Sequence, residues 1–180
     1  MVKWLVKKRI AAFERQWGYD ASYMRELLDT DLRALLAFAK LQGLDRYRRD
    51  APADAYYAAK LVAVLAEDCG PCTQLAVGMA LADRVPGATL AAVIERRDAD
   101  LPSSAALAVR FARAALAHDA AASELRDQII ATWGPRALVS LAFAILTGRM
   151  FPTLKFALGH GHACERVMID GKAIVPRPAA

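Results

Sequence analysis

Little in this sequence is suited to disulfides, tight turns or strands. Three cysteines in 180 residues are too few, and odd in number, for a secreted disulfide scaffold. Ten glycines and eight prolines exclude a collagen-like chain or a Pro-rich linker. Val, Ile and Thr form no alternating runs before the last few residues, which leaves almost nothing from which to build a sheet. No apolar run approaches the roughly 20 residues that a bilayer core requires. The longest, Ala137–Thr147, is broken by Ser140 and followed by Arg149. The opening stretch MVKWLVKKRIAAFERQWG has no unbroken apolar core and no small-residue cleavage site, so no signal peptide is expected. A reducing cytoplasm is the expected compartment. Neither G-x-x-x-x-G-K-[ST] nor G-x-G-x-x-G occurs, and the basic residues are scattered among acids rather than gathered with aromatics. Nucleotides, nucleic acids and membranes are therefore not expected partners.

What is present is Ala, Leu and Arg in quantity. The chain is 56% hydrophobic and 24% charged, enough apolar surface to offset the entropy of ordering one domain. Its 24 basic and 19 acidic residues give a net charge of +5, which permits an acidic partner without demanding one. Helical periodicity runs through most of the chain, so an all-α helical bundle is expected. Val2–Trp17 is a candidate amphipathic helix stopped by Gly18. Asp20 is placed to cap a helix through Leu28, and Thr30 one over 31–41, with Gly43 as its stop. Asp50 and Pro52 open a helix to about Glu67. After Cys69-Gly70-Pro71-Cys72 another runs to about Asp83, with Pro71 in the first turn, where its missing N–H costs nothing. Further helices are expected over 89–98, after Pro102, after Ser123 as cap, over 136–148 and over 150–159. The tail departs from this pattern: Arg166–Ile169 and Lys172–Val175 flank Asp170-Gly171, a dipeptide that tolerates the positive φ of a two-residue hairpin turn. Such a hairpin is marginal alone and must pack on the helical body or on a second subunit. The expected organisation is an N-terminal helical arm over 1–24, a helical domain over 25–160 and a hairpin tail over 161–180.

The sharpest local signal is Cys69-x-x-Cys72 at a helix start, preceded by Glu67. Sulfurs three positions apart across a helix N-terminus can close a disulfide, and the unpaired N–H groups there favour a thiolate. Cys72, inside the first turn, is placed to attack; Cys69, in the preceding turn, is placed to resolve the intermediate as a disulfide. Two other readings stay open. The pair is half of a zinc site, with His160, His162 and Cys164 completing it if the tail folds back, or it is simply buried. No second C-x-x-C is present, so no metal and no cofactor is expected. Glu67 is the nearest carboxylate, and Tyr57 and Lys60 lie on the preceding helix, where Tyr57 can donate a hydrogen bond to a thiolate. Gln74 either orients a substrate or faces solvent. His118 is placed at a helix C-terminus, where capping is its expected role.

The segment Ala55–Met79, AYYAAKLVAVLAEDCGPCTQLAVGM, resembles the core helix pair of the alkylhydroperoxidase D-like (carboxymuconolactone decarboxylase) superfamily. The stretches LPSSAALAVRFARAAL and ELRDQIIATWGPRALVSLAFAILTGRMFPTLKFALG resemble the helices that follow there, so the likeness covers roughly residues 25–160. It implies an AhpD-like bundle, a homo-oligomer, and a peroxidase or disulfide reductase whose cysteines cycle between dithiol and disulfide. Cys72 would be peroxidatic and Cys69 resolving, with a small-molecule peroxide or disulfide as substrate and a dithiol as reductant. Family peroxidases carry a Glu, a His and a second His as a proton relay, where this chain has Tyr57, Pro71 and Ala76. From a different class comes the alternative: a non-catalytic helical oligomeric or ligand-binding module whose cysteines are structural or metal-binding.

Overall fold

The computed structural model of the chain describes residues 2–177; positions 178–180 of the expected tail, and Met1, lie outside the described residues. Nine α-helices and one small hairpin make up the described structure: α1 Val2–Trp17, α2 Ser22–Thr30, α3 Leu32–Asp45, α4 Ala53–Ala66, α5 Gly70–Ala82, α6 Gly87–Ile94, α7 Ser103–Leu116, α8 Ala121–Trp133, α9 Pro135–Ala157, β1 Val167–Ile169 and β2 Lys172–Ile174. The expected all-α class with a short C-terminal hairpin is what the structure shows.

α4 is the axis of the bundle. It packs chiefly against α7 and α9, and nine of its 14 residues are buried. Its approach to α9 is close because Gly148 has no side chain: a Cβ there would lie 2.8 Å from the Cβ of Ala63 and 2.9 Å from the carbonyl oxygen of Lys60. This contact brings Thr147 of α9 beside Lys60 of α4. α1, α2 and α3 build a second, smaller core of Ile10, Tyr19, Tyr23, Leu28, Leu35 and Phe38, closed by Phe151 and Leu154 of α9 and Leu75 of α5. The boundary expected between residues 24 and 25 falls inside α2.

Local capping differs in places from the expectations. Asp31, not Thr30, caps α3 by accepting from the Arg33 N–H (2.8 Å), and α3 runs through Gly43 to Asp45. Asp119, not Ser123, accepts from the Ala121 N–H at the start of α8 (2.8 Å). α6 spans Gly87–Ile94 rather than 89–98. The two helices expected over 136–148 and 150–159 are one 23-residue helix, α9, with Pro152 inside it. A proline removes one helical hydrogen bond, but here both halves of the helix are held by other elements. Among the described helices α9 is long and apolar enough, by length and composition alone, to span a membrane. Its Ala137, Leu141 and Ala144 are buried in the main core, and it carries Arg149 and a fully buried Lys155, which is how a core helix packs.

The hairpin follows the sequence reading. Val167 pairs with Ile174 and Ile169 with Lys172, and Asp170 and Gly171 take φ of 49° and 77°. It docks on its own helical body: Val167 and Ile169 are buried in the main core. Gln74 of α5, which is partly exposed, holds the hairpin. Its side-chain oxygen accepts from the Met168 N–H (2.7 Å) and its amide donates to the Met168 carbonyl (3.0 Å).

Lys155 is 1% exposed, with its ammonium over the rings of Tyr19 (4.7 Å) and Tyr23 (5.5 Å). Burial pulls its pKa below the usual lysine value, only partly opposed by Asp20. The unfolded chain therefore holds this proton more tightly, and the penalty is full below the folded pKa and fades as pH rises toward 10.5. Lys155→Met should gain most over wild type near pH 7, with the gap narrowing by pH 9.5, read from urea midpoints at each pH. Burial raises Tyr19 to about 12 and Tyr23 as well, so titrations above pH 10 would mix in the tyrosines.

Candidate functional site

The turn between α4 and α5 places the two cysteines. α4 ends at Ala66, Asp68 takes the left-handed conformation (φ 48°), and Cys69 is the N-cap of α5. Cys69 and Cys72 are joined as a disulfide with Cα atoms 5.3 Å apart. In the first turn the Gly70 N–H donates to the His162 carbonyl (3.0 Å), Pro71 has no N–H, and the Thr73 N–H donates to the Cys69 carbonyl (2.9 Å). The N–H of Cys72 has no hydrogen-bond partner among the described residues. It lies within the ring that the two sulfurs close, where it favours negative charge on sulfur once the pair is reduced.

The two sulfurs have different surroundings. Cys69 is 0% exposed and Cys72 7%. The segment after α9 crosses over Cys69: Cys164 donates its N–H to Asp68 (2.9 Å), and the Ala163 carbonyl would lie 2.7 Å from a Cβ at position 70, so only glycine fits there. Burial raises the Cys164 thiol above the usual cysteine value, with Asp68 adding to the effect and a hydrogen bond with Thr73 opposing it. Cys72 instead lines a cavity of about 540 Å³ between α4, α5 and the α1–α3 layer.

That cavity is a groove along two antiparallel helices. At one end Val64 packs on Cys69 and Cys72. At the other the Tyr57 hydroxyl of α4 donates to Asp83 just beyond α5 (2.8 Å). The 11 positions from Cys72 to Asp83 correspond to a length of about 16 Å at the helical rise. Phe13, Trp17, Tyr19, Tyr23, Phe38 and Phe151 supply an aromatic roof and wall.

Its polar groups come in sets. Lys60, 5% exposed, is ion-paired with Asp45, whose carboxylate also accepts from the Thr147 hydroxyl (2.8 Å). The Tyr56 hydroxyl donates to the Asp45 carbonyl (2.6 Å). Arg48 donates to the Asp83 carboxylate that also receives Tyr57 (2.5 Å). Burial alone would raise Asp83, but the hydrogen bonds from Tyr57 and Arg48 outweigh it and hold its carboxyl below the ordinary value. Burial and the bond to Asp83 push the Tyr57 hydroxyl well above the normal tyrosine range.

The site residues read from the sequence are thus divided. Cys72 and Tyr57 line one cavity, but the Tyr57 hydroxyl is committed to Asp83 rather than to a sulfur. Cys69 sits behind Cys72, away from the cavity. Glu67 is turned to α9, where it accepts from Arg149 (2.6 Å) and Thr153 (3.1 Å), and it does not line the cavity. His160 bonds Ser22 (3.0 Å) and Glu26 (2.6 Å) on α2, and His162 lies in a shallow surface depression with Pro71 and Gln74. No three His, Cys, Asp or Glu side chains converge on a metal-sized point among the described residues. Asp45, Arg48, Asp83 and Thr147 were not read from the sequence, because their partners lie far along the chain.

Fold and site together define an all-α protein with a vicinal cysteine pair at the end of an aromatic, partly charged cavity. Comparison with protein-family models, with curated proteins and with solved structures finds no match for the chain.

Proposed function

We propose that the protein is a thiol-dependent oxidoreductase, a peroxidase or disulfide reductase, that works through Cys72 and Cys69. The observation that carries this reading is the asymmetry of the pair. Cys72 opens on a cavity large enough for an organic substrate, while Cys69 is sealed behind it. The resemblance to the alkylhydroperoxidase D-like superfamily supports the same division of labour. In the reduced protein the Cys72 thiolate attacks the outer oxygen of a hydroperoxide. The O–O bond breaks, Cys72 becomes a sulfenic acid, and the departing alkoxide takes a proton from solvent to leave as the alcohol. The Cys69 thiol then attacks the Cys72 sulfur, releasing water and forming the disulfide. A cytoplasmic dithiol restores both thiols by exchange and is itself oxidised to a disulfide. We also infer a homo-oligomer, since α9 leaves Val139 and Leu146 exposed two turns apart on one face.

The alternative, a non-catalytic helical module, draws on the complete burial of Cys69 beneath residues 162–164. Thiol titration separates the two. The account expects one thiol of the reduced pair to ionise below about pH 7.5 and the disulfide to re-form reversibly. Two thiols with ordinary pKa values near 8.5, unreactive to peroxide, would favour the module.

A further inference from the structure

The charges along the cavity do not balance. Its lining has three cations, Lys60, Arg46 and Arg48, and two carboxylates, Asp45 and Asp83. Asp45 is taken by Lys60 and Asp83 by Arg48. Arg46 lies between Asp45 and Arg48 in sequence, is exposed, lines the same cavity, and has no ion-pair partner among the described residues. Its neighbours along the chain put it toward the end remote from the reactive sulfur: the Asp45 carbonyl accepts from the Tyr56 hydroxyl, and Arg48 meets Asp83, about 16 Å along α5 from Cys72. Between the two ends the walls are mostly aromatic and aliphatic, Trp17, Phe38, Phe151, Leu75 and Met79, with the neutralised Lys60–Asp45 pair among them.

We propose that this cavity selects an anionic amphiphile, a carboxylate carrying a hydroperoxide at the far end of an apolar chain. Arg46 is the specificity-determining residue that holds the carboxylate. The inference rests on the redox reading of Cys72 for its reactive group, but the recognition it describes is separable from turnover. A guanidinium meets a carboxylate through two parallel N–H donors, which gives orientation as well as attraction. The apolar walls contribute by burying the chain between the two ends. With its carboxylate at Arg46, such a ligand lies lengthwise in the groove and presents its peroxide to Cys72. A small neutral peroxide has nothing to orient it.

The test compares ω-hydroperoxydodecanoate with its methyl ester, using the full chain and a dithiol reductant, in wild type and Arg46→Gln. Cumene hydroperoxide serves as a neutral reference. Wild type should prefer the acid to the ester by about tenfold in kcat/KM, and that ratio should fall toward one in Arg46→Gln. If cumene hydroperoxide is consumed but acid and ester react alike in wild type, the inference is overturned and the redox reading stands. If no hydroperoxide is consumed, the redox reading fails, and calorimetric titration with unreactive dodecanoate judges recognition alone. Binding weakened about tenfold by Arg46→Gln upholds the selection of a carboxylate amphiphile. Absence of binding, or equal binding by both proteins, overturns it.

Discussion

Replacing Cys72 by serine should lower dithiol-dependent hydroperoxide consumption by roughly a thousandfold or more, as removal of a nucleophile does in other covalent enzymes. A hydroxyl at that position stays protonated near neutral pH and, without a base, attacks poorly. The cavity holds no free histidine to supply one: His160 and His162 lie elsewhere, and His118 does not line it. Cys69→Ser should behave differently. Without the dithiol, Cys72 still faces the cavity and attacks once, but Cys69 is no longer there to resolve the product. One equivalent of peroxide is consumed and a sulfenic acid accumulates at Cys72, where dimedone labels it and peptide mass spectrometry reads it. Equal rates for wild type and Cys72→Ser would remove Cys72 from the chemistry.

Asp45→Ala should be the most damaging change to stability at the site. It leaves the Lys60 ammonium buried without its partner and takes one acceptor from the Thr147 hydroxyl, which keeps the Phe143 carbonyl. Breaking one side of a buried ion pair costs roughly 3–5 kcal/mol. For a chain of this length that lowers Tm by roughly 10 °C, measurable by calorimetry. The double variant Asp45→Leu with Lys60→Met should recover much of the loss, since two apolar groups of similar volume leave no charge stranded. A single variant that melts with wild type would show that Lys60 reaches solvent and that the pair does not shape the cavity.

The features legible in the sequence are those written within a few residues. Gly134, with φ of 87°, and Pro135 start α9; Pro71 lies in the first turn of α5; Asp170-Gly171 turns the hairpin. The Cys pair at a helix start is equally local. Where local signals compete with packing, the sequence misleads. Gly43 reads as a stop but lies within α3, and the break expected after Gly148 lies within α9, because tertiary contacts outweigh the propensity of one residue. The charged lining was out of reach for a different reason. Asp45 meets Lys60 across 15 positions and Thr147 across 102, and Asp83 meets Arg48 across 35. No periodicity encodes such pairs. Glu67 was singled out for its nearness to Cys69 along the chain, yet the helical turn directs it to Arg149 and Thr153.

The most direct test is a single-turnover experiment on the reduced wild-type protein. One equivalent of an organic hydroperoxide is added without reductant, and the alcohol formed and the state of each cysteine are quantified together. The account predicts one equivalent of alcohol, a Cys69–Cys72 linkage in the peptide map, and Cys164 still a free thiol. Intact hydroperoxide beside three unchanged thiols, or oxidation confined to Cys164, would contradict it.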